Sequence, residues 1–172
     1  MSKKIILAET AGFCFGVDRA VNLVYSLVND GKKVCTLGPI IHNAQLVGDL
    51  EQRGVKIIDS IDECPDGYMV VVRTHGVEKS VIDDIENKNI EYVDATCPFV
   101  KKIHRIVKKF DSSVPVLVAG DVNHPEVIGI RSYCNGKSFV FKNDEELQKI
   151  LQNDHIDKNK KIICVSQTTF SL

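Results

Sequence analysis

The chain has 172 residues, with 22 Lys plus Arg against 23 Asp plus Glu, a formal net charge of −1, and 44% hydrophobic and 26% charged residues. That composition excludes a disordered chain, and its balance of charge lacks the basic face of a nucleic-acid binder. No apolar run approaches the roughly 18 residues that cross a bilayer, and the apolar stretch after Lys3-Lys4 is too short for a signal peptide, so a cytoplasmic protein with neither nucleic acid nor membrane as partner is expected.

In chain order, Ile5–Ala8 reads as the first strand. Val17, Ala20, Val21, Val24 and Val28 then fall on one helical stripe that stops at Asn29-Asp30-Gly31, where glycine supplies a C-cap. Lys33–Leu37, Val55–Ile58, Met69–Val72 and Tyr92–Asp94 are short and largely apolar, as strands buried on both faces are. Val100, Ile103, Val107 and Phe110 mark a second amphipathic helix, and Val114–Ala119, Ser138–Phe141 and Lys161–Val165 are further strands. The polar run from Asn153 to Lys161 reads as an exposed connection. Alternating strands and helices predict an α/β fold of repeated three-layer modules with small, mostly parallel sheets.

The chain repeats itself. Gly12-Phe13-Cys14-Phe15-Gly16-Val17 aligns with Ala95-Thr96-Cys97-Pro98-Phe99-Val100, about 83 residues on, each cysteine lying after a strand and before a helix. His42 follows Cys14 by 28 residues and His124 follows Cys97 by 27, both at strand-to-helix junctions. One strand ends in Arg73-Thr74-His75-Gly76 and another in Ser166-Gln167-Thr168-Thr169. Polar groups therefore gather at strand C-terminal ends, where open α/β sheets bind ligands. A cysteine at a helix N-terminus has a stabilised thiolate, which suits metal ligation, and histidines on the same rim can donate to anionic oxygens. The division expected is 1–13 as N-terminal strand and loop, 14–96 as first module and 97–172 as second.

Six cysteines, Cys14, Cys35, Cys64, Cys97, Cys134 and Cys164, include no C-x2-C pair, which argues against zinc-finger or ferredoxin-type ligation. Cys35 and Cys164 lie in predicted strands and read as core, while Cys64 and Cys134 lie near turns. Asp18 and Arg19 read as a structural pair, and His104 and His155 as structural histidines. A zinc-dependent hydrolase built on the histidines would need an H-x3-H or H-E-x-x-H spacing, and a nucleotide-binding module a G-x-G-x-x-G or Walker loop; neither is present.

Six segments taken together resemble one family, 4-hydroxy-3-methylbut-2-enyl diphosphate reductase of the non-mevalonate isoprenoid pathway. They are Gly12 to Ala20, Ile41-His42-Asn43, Thr74-His75-Gly76-Val77, Asp94-Ala95-Thr96-Cys97-Pro98, His124-Pro125-Glu126-Val127 and Ser166-Gln167-Thr168-Thr169. The resemblance implies three α/β modules around a [4Fe-4S] cluster, each giving one cysteine, of which this chain carries two modules with Cys14 and Cys97 as cluster ligands. The family's third cysteine and its Ser-x-Asn diphosphate motif lie beyond the Gln-Thr-Thr segment, so the chain is expected to be the N-terminal three-fifths of a reductase. A truncated, non-catalytic fragment is the alternative.

The resemblance further implies reductive dehydroxylation of an allylic diphosphate to isopentenyl and dimethylallyl diphosphate, with ferredoxin or flavodoxin as electron donor. His42, His75 and His124 would bind the diphosphate or relay protons. Thr168 would hold the substrate hydroxyl or a water, with Thr169 the weaker candidate beside it, and Glu126 would donate the proton. Glu126 in His124-Pro125-Glu126 also reads as a helix-start carboxylate serving the dipole, and the two roles are compatible.

Overall fold

A computed structural model describes residues 4–9, 11–153, 156, 157 and 159–171. Helix α1 (Phe15–Asn29) is followed by β1 (Val34–Leu37), α2 (Ala44–Gln52), β2 (Lys56–Ile58), a 3-10 turn at Ile61–Glu63, and β3 (Met69–Val72). Then come α3 (Lys79–Asn87), β4 (Tyr92–Asp94), α4 (Pro98–Lys108), β5 (Val116–Ala119), α5 (Pro125–Ser132), β6 (Ser138–Phe141), α6 (Asp144–Asn153) and β7 (Ile163–Ser166).

Two parallel sheets result, ordered β2-β1-β3-β4 and β6-β5-β7. They share one plan: the first strand of each is flanked by the second on one side and the third on the other. This is the α/β architecture of small parallel sheets that the alternating pattern predicts. All residues of β1, β3 and β5 are buried, because helices cover both faces of these inner strands. Successive side chains serve opposite cores. Val34 and Val71 pack with Ala20, Val21 and Val24 of α1, whereas Cys35, Leu37, Val70 and Val72 pack with Ile58, Ile61 and Ile85. In the second sheet Val116 and Val118 meet Val107, Val127 and Ile130, while Leu117 and Ala119 meet Phe141 and Ile156.

The α1 stripe ends as its sequence requires: Gly31 adopts φ +76°, and its N–H donates to the Val28 carbonyl at 3.0 Å. Backbone and side chains tie the start of α4 to the first sheet and α1. The Cys97 N–H donates to the Thr74 carbonyl at 2.9 Å, and Arg19 Nη2 of α1 donates to the Thr96 carbonyl at 2.9 Å.

Four expectations are corrected. Ile5–Ala8 pairs with no strand among the described residues, and Ile5, Ile6 and Leu7 are 91%, 79% and 81% exposed. β-branched composition gives a propensity, but a strand needs a partner edge. Cys164 is exposed rather than core, because β7 is an edge strand with one open face. Asp18 and Arg19 do not pair: Asp18 accepts from Asn22 Nδ2 at 3.0 Å, while Arg19 reaches Thr96. The strand expected from Val114 begins at Val116, after Pro115, whose ring nitrogen has no hydrogen to give a ladder. His104 is buried in α4 and stacks on Tyr133 with ring centroids 4.3 Å apart, a structural position as expected. His155 lies outside the described residues.

Candidate active site at the strand C-terminal ends

The three histidines sit on loops that leave the C-terminal ends of β1, β3 and β5. After β1 the chain turns at Gly38 (φ +70°), where a Cβ would lie 2.5 Å from Arg73 Nη1, so the guanidinium packs on bare backbone. The loop then runs to His42, and Asn43 caps α2 by accepting from the Leu46 N–H at 3.0 Å. After β3, the buried Thr74 fastens the neighbouring loops. Its hydroxyl donates to the Ile40 carbonyl at 3.2 Å, and its own carbonyl takes the Cys97 N–H. His75 follows directly. After β5, His124 occupies the N-cap of α5, and its Nδ1 accepts from the Glu126 N–H at 3.1 Å. Nδ1 is thus the acceptor, which leaves Nε2 as the protonated nitrogen of the neutral ring.

These loops bring the rings into one row. His42 and His75 have centroids 5.8 Å apart, and His75 and His124 meet edge-on at 5.4 Å. Burial of His75 lowers its pKa to about 4, helped by repulsion from His124, His42 and Arg73. At neutral pH it is an uncharged ring. An anion arriving beside it would favour the charged form and raise that value.

Glu126 follows His124 by two residues, its N–H bonded to that ring. It is fully buried in the first turn of α5. Its Oε1 accepts the Thr168 N–H at 2.7 Å, and its Oε2 meets the Thr168 hydroxyl at 2.8 Å. Thr168 lies just beyond β7 and is exposed, so the pair runs from a buried carboxyl to an accessible hydroxyl. Gln167, quoted in its motif but given no role by sequence, holds this corner. It is buried, accepts from the Asp121 N–H through Oε1 at 3.1 Å, and donates from Nε2 to Thr169 Oγ1 at 2.9 Å. A Cβ on Gly120 would lie 3.0 Å from Gln167 Oε1 and 2.8 Å from Val127 Cγ2. Glycine there lets the β5 loop close over the amide. A polar residue flanked by strand and Thr-Thr was the available signal for Gln167.

Cys14 and Cys97 are the N-caps of α1 and α4, and neither side chain caps its own helix. Both thiols thus lie at helix N-termini with no side-chain hydrogen bond to the helix they precede. A Cβ on Gly16 would fall 2.6 Å from Cys97 Sγ, so that sulfur is seated against the start of α1, two residues past Cys14. Phe13, Phe15 and Phe99, neighbours of these cysteines in sequence, are exposed. Among the described residues no group of three or more His, Cys, Asp or Glu converges on a metal position. Structural zinc and iron–sulfur clusters take three or four protein ligands, so two cysteines alone do not make up such a set. No helix among the described residues is long and apolar enough to cross a membrane.

The family model described as "LytB protein" matches residues 5–172. A 4-hydroxy-3-methylbut-2-enyl diphosphate reductase from Geotalea uraniireducens is 44% identical over 98% of this chain and 57% of its own length. The protein of that name from Thermoanaerobacter pseudethanolicus is 41% identical over 96% of this chain and 57% of its own. Among solved structures, (E)-4-hydroxy-3-methyl-but-2-enyl diphosphate reductase, described as the terminal enzyme of the non-mevalonate pathway, matches with a TM-score of 0.80 and 39% identity, over 97% of this chain and 59% of that one. The Plasmodium falciparum reductase structure gives 0.82 and 28% identity, over 95% and 51%. The chain therefore spans between half and three-fifths of the relatives it matches, and it belongs to the LytB protein family.

Proposed function

We propose that this chain supplies part of the active site of a reductase that removes the hydroxyl of 4-hydroxy-3-methylbut-2-enyl diphosphate, giving isopentenyl and dimethylallyl diphosphate. The observation that carries the reading is the buried Glu126 bonded twice to the accessible Thr168, and through its N–H to His124, which shares its row with His42 and His75. Its relatives bear the name of that reductase. In this reading the units 14–96 and 97–172 are two modules around one centre, in the cytoplasm, and ferredoxin or flavodoxin is the electron donor.

Cys14 and Cys97 would give two thiolates to a [4Fe-4S] cluster, with the remaining ligand from outside this chain. The bound cluster would supply electrons and a Lewis-acid iron. The chain's own residues bind, orient and protonate. The histidine row offers ring N–H donors to the diphosphate oxygens, and protonation of His75 on binding would strengthen that hold. A proton carried on Glu126 Oε2 can pass to Thr168 Oγ1, which releases its own proton outward to the allylic carbon or the departing hydroxyl. The Thr168 N–H on Oε1 keeps the carboxyl in register for that transfer, as a positioned acid requires.

The full-length protein, reconstituted anaerobically with iron and sulfide, is expected to carry about four irons and to convert the diphosphate with a reduced donor. Failure of the full-length protein to consume the substrate, or a full complement of zinc without acid-labile sulfide, would overturn the assignment.

A further inference from the structure

The thiols of Cys35 and Cys64 approach to 3.6 Å although 29 residues separate them in sequence. Neither belongs to the row of histidines, and the reaction proposed above uses neither. Cys35 lies in β1, fully buried among Leu37, Ile58, Ile61 and Ile85. Cys64 closes the 3-10 turn Ile61–Glu63 and is half-buried. It lines an open surface hollow of about 540 Å³, with Asp62, Tyr68 and Lys88 also in the wall. Each sulfur otherwise makes only long contacts to carbonyls: Cys35 to Met69 at 3.7 Å, Cys64 to Pro65 at 3.8 Å and to Tyr68 at 3.9 Å. These are weak thiol bonds that constrain neither side chain strongly.

We propose that Cys35 and Cys64 are a reversible thiol-oxidation site, closed to a disulfide by a hydroperoxide that reaches Cys64 through this hollow. The Cys64 thiolate attacks the terminal oxygen of the hydroperoxide, the O–O bond breaks, and an alcohol leaves with the thiol proton. Cys64 is then a sulfenic acid. The Cys35 sulfur attacks the Cys64 sulfur, the S–O bond breaks, and hydroxide departs with the Cys35 proton as water. Two thiols and one hydroperoxide have become one disulfide, one alcohol and one water. A dithiol reductant reverses the change by exchange.

The two environments set this order. Burial pushes the Cys35 thiol up to about 12, with the Cys64 contact adding to it, so Cys35 is a poor first nucleophile and a sheltered second one. A disulfide needs the sulfurs at about 2.05 Å, a closure of about 1.5 Å. β1 is hydrogen-bonded on both sides, so the closure falls to the segment around Cys64, which lies outside the strands. The bond would tie the inner strand β1 to the segment that leads into β3.

The test treats the intact protein with hydrogen peroxide, denatures it in iodoacetamide, and digests it with trypsin without reduction. A linked pair of peptides, Val34–Arg53 with Ile57–Arg73, is expected, and dithiothreitol should dissolve it. Cys35→Ser should leave Cys64 as a sulfenic acid that dimedone traps, and Cys64→Ser should leave Cys35 fully alkylated. The wild-type digest decides the matter even where a variant fails to fold. Recovery of Cys35 and Cys64 both alkylated while peroxide consumes other cysteines would overturn the proposal. So would Cys64 linked to a different cysteine.

Discussion

Glu126 and Thr168 are 42 residues apart in sequence and share two hydrogen bonds of 2.7 and 2.8 Å, one to the threonine backbone and one to its hydroxyl. A buried carboxyl engaged on both oxygens is held in one orientation, and its outlet to solvent is the threonine hydroxyl. Glu126→Gln keeps the Thr168 N–H bond on its amide oxygen and can donate its amide N–H to the Thr168 hydroxyl, which accepts as well as donates, so both contacts persist while the transferable proton is lost. We expect the full-length variant to change in stability by less than about 1 kcal/mol and to fall at least about 100-fold in turnover, with iron content unchanged. Anaerobic turnover within a few-fold of wild type would sink the proton-donor role.

The two bonds can be separated at the other partner. Thr168→Val keeps the backbone N–H bond to Oε1 and deletes the hydroxyl on Oε2. Thr168→Ser keeps both. The valine variant should lose turnover by about 10-fold or more and about 1 kcal/mol of stability, and the serine variant should retain most of both. Equal activity of the two variants would show that the hydroxyl carries no proton.

Two glycines in helices should respond oppositely to alanine. At Gly48 of α2 a Cβ meets nothing within 4 Å, so Gly48→Ala should stabilise by about 0.5–1 kcal/mol through helix propensity alone. At Gly16 of α1 the new methyl would fall 2.6 Å from Cys97 Sγ. Overpacking costs about 1–3 kcal/mol, which exceeds the propensity gain, and the sulfur must move. Gly16→Ala should therefore lower both the melting temperature and the iron bound on reconstitution of the full-length protein, with helical circular dichroism retained. Normal iron content would show that the Cys97 position tolerates the shift.

Periodicity made most of the fold legible, because inner strands such as Met69–Val72 and stripes such as Val17 to Val28 carry their burial in their composition. It failed where a partner decides the outcome. Ile5–Ala8 has strand composition but pairs with nothing described, and Cys164 reads as core until β7 proves to be an edge. Within the site, the cysteines, histidines, Glu126 and Thr168 stood out at strand ends. The groups that position them did not. Thr74 fastens the His42 loop across 34 residues, Gln167 the β5 loop across 46, and Arg19 the start of α4 across 77. Long-range hydrogen bonds of this kind leave no local pattern in a sequence.

His104 and His75 both have pKa values lowered to about 4, in each case chiefly by burial. The unfolded chain takes up protons at these rings near pH 6.5, and the folded chain resists until about 4. Their contribution to stability is therefore complete above pH 6.5 and is lost as pH falls toward 4. His104 should dominate, since it is 8% exposed while His75 is more open to solvent. Its Nε2 is buried without a partner, so its removal leaves no new orphan. His104→Leu should flatten the rise of unfolding free energy with pH over this window by up to about 1.4 kcal/mol per pH unit, the share of one proton. Stability at pH 7 should change by no more than about 1.5 kcal/mol, as for other volume-conserving core replacements. Urea titrations at several pH values between 4.5 and 7 measure both quantities, and a slope identical to wild type would mean that His104 takes up its proton alike in the folded and unfolded chains.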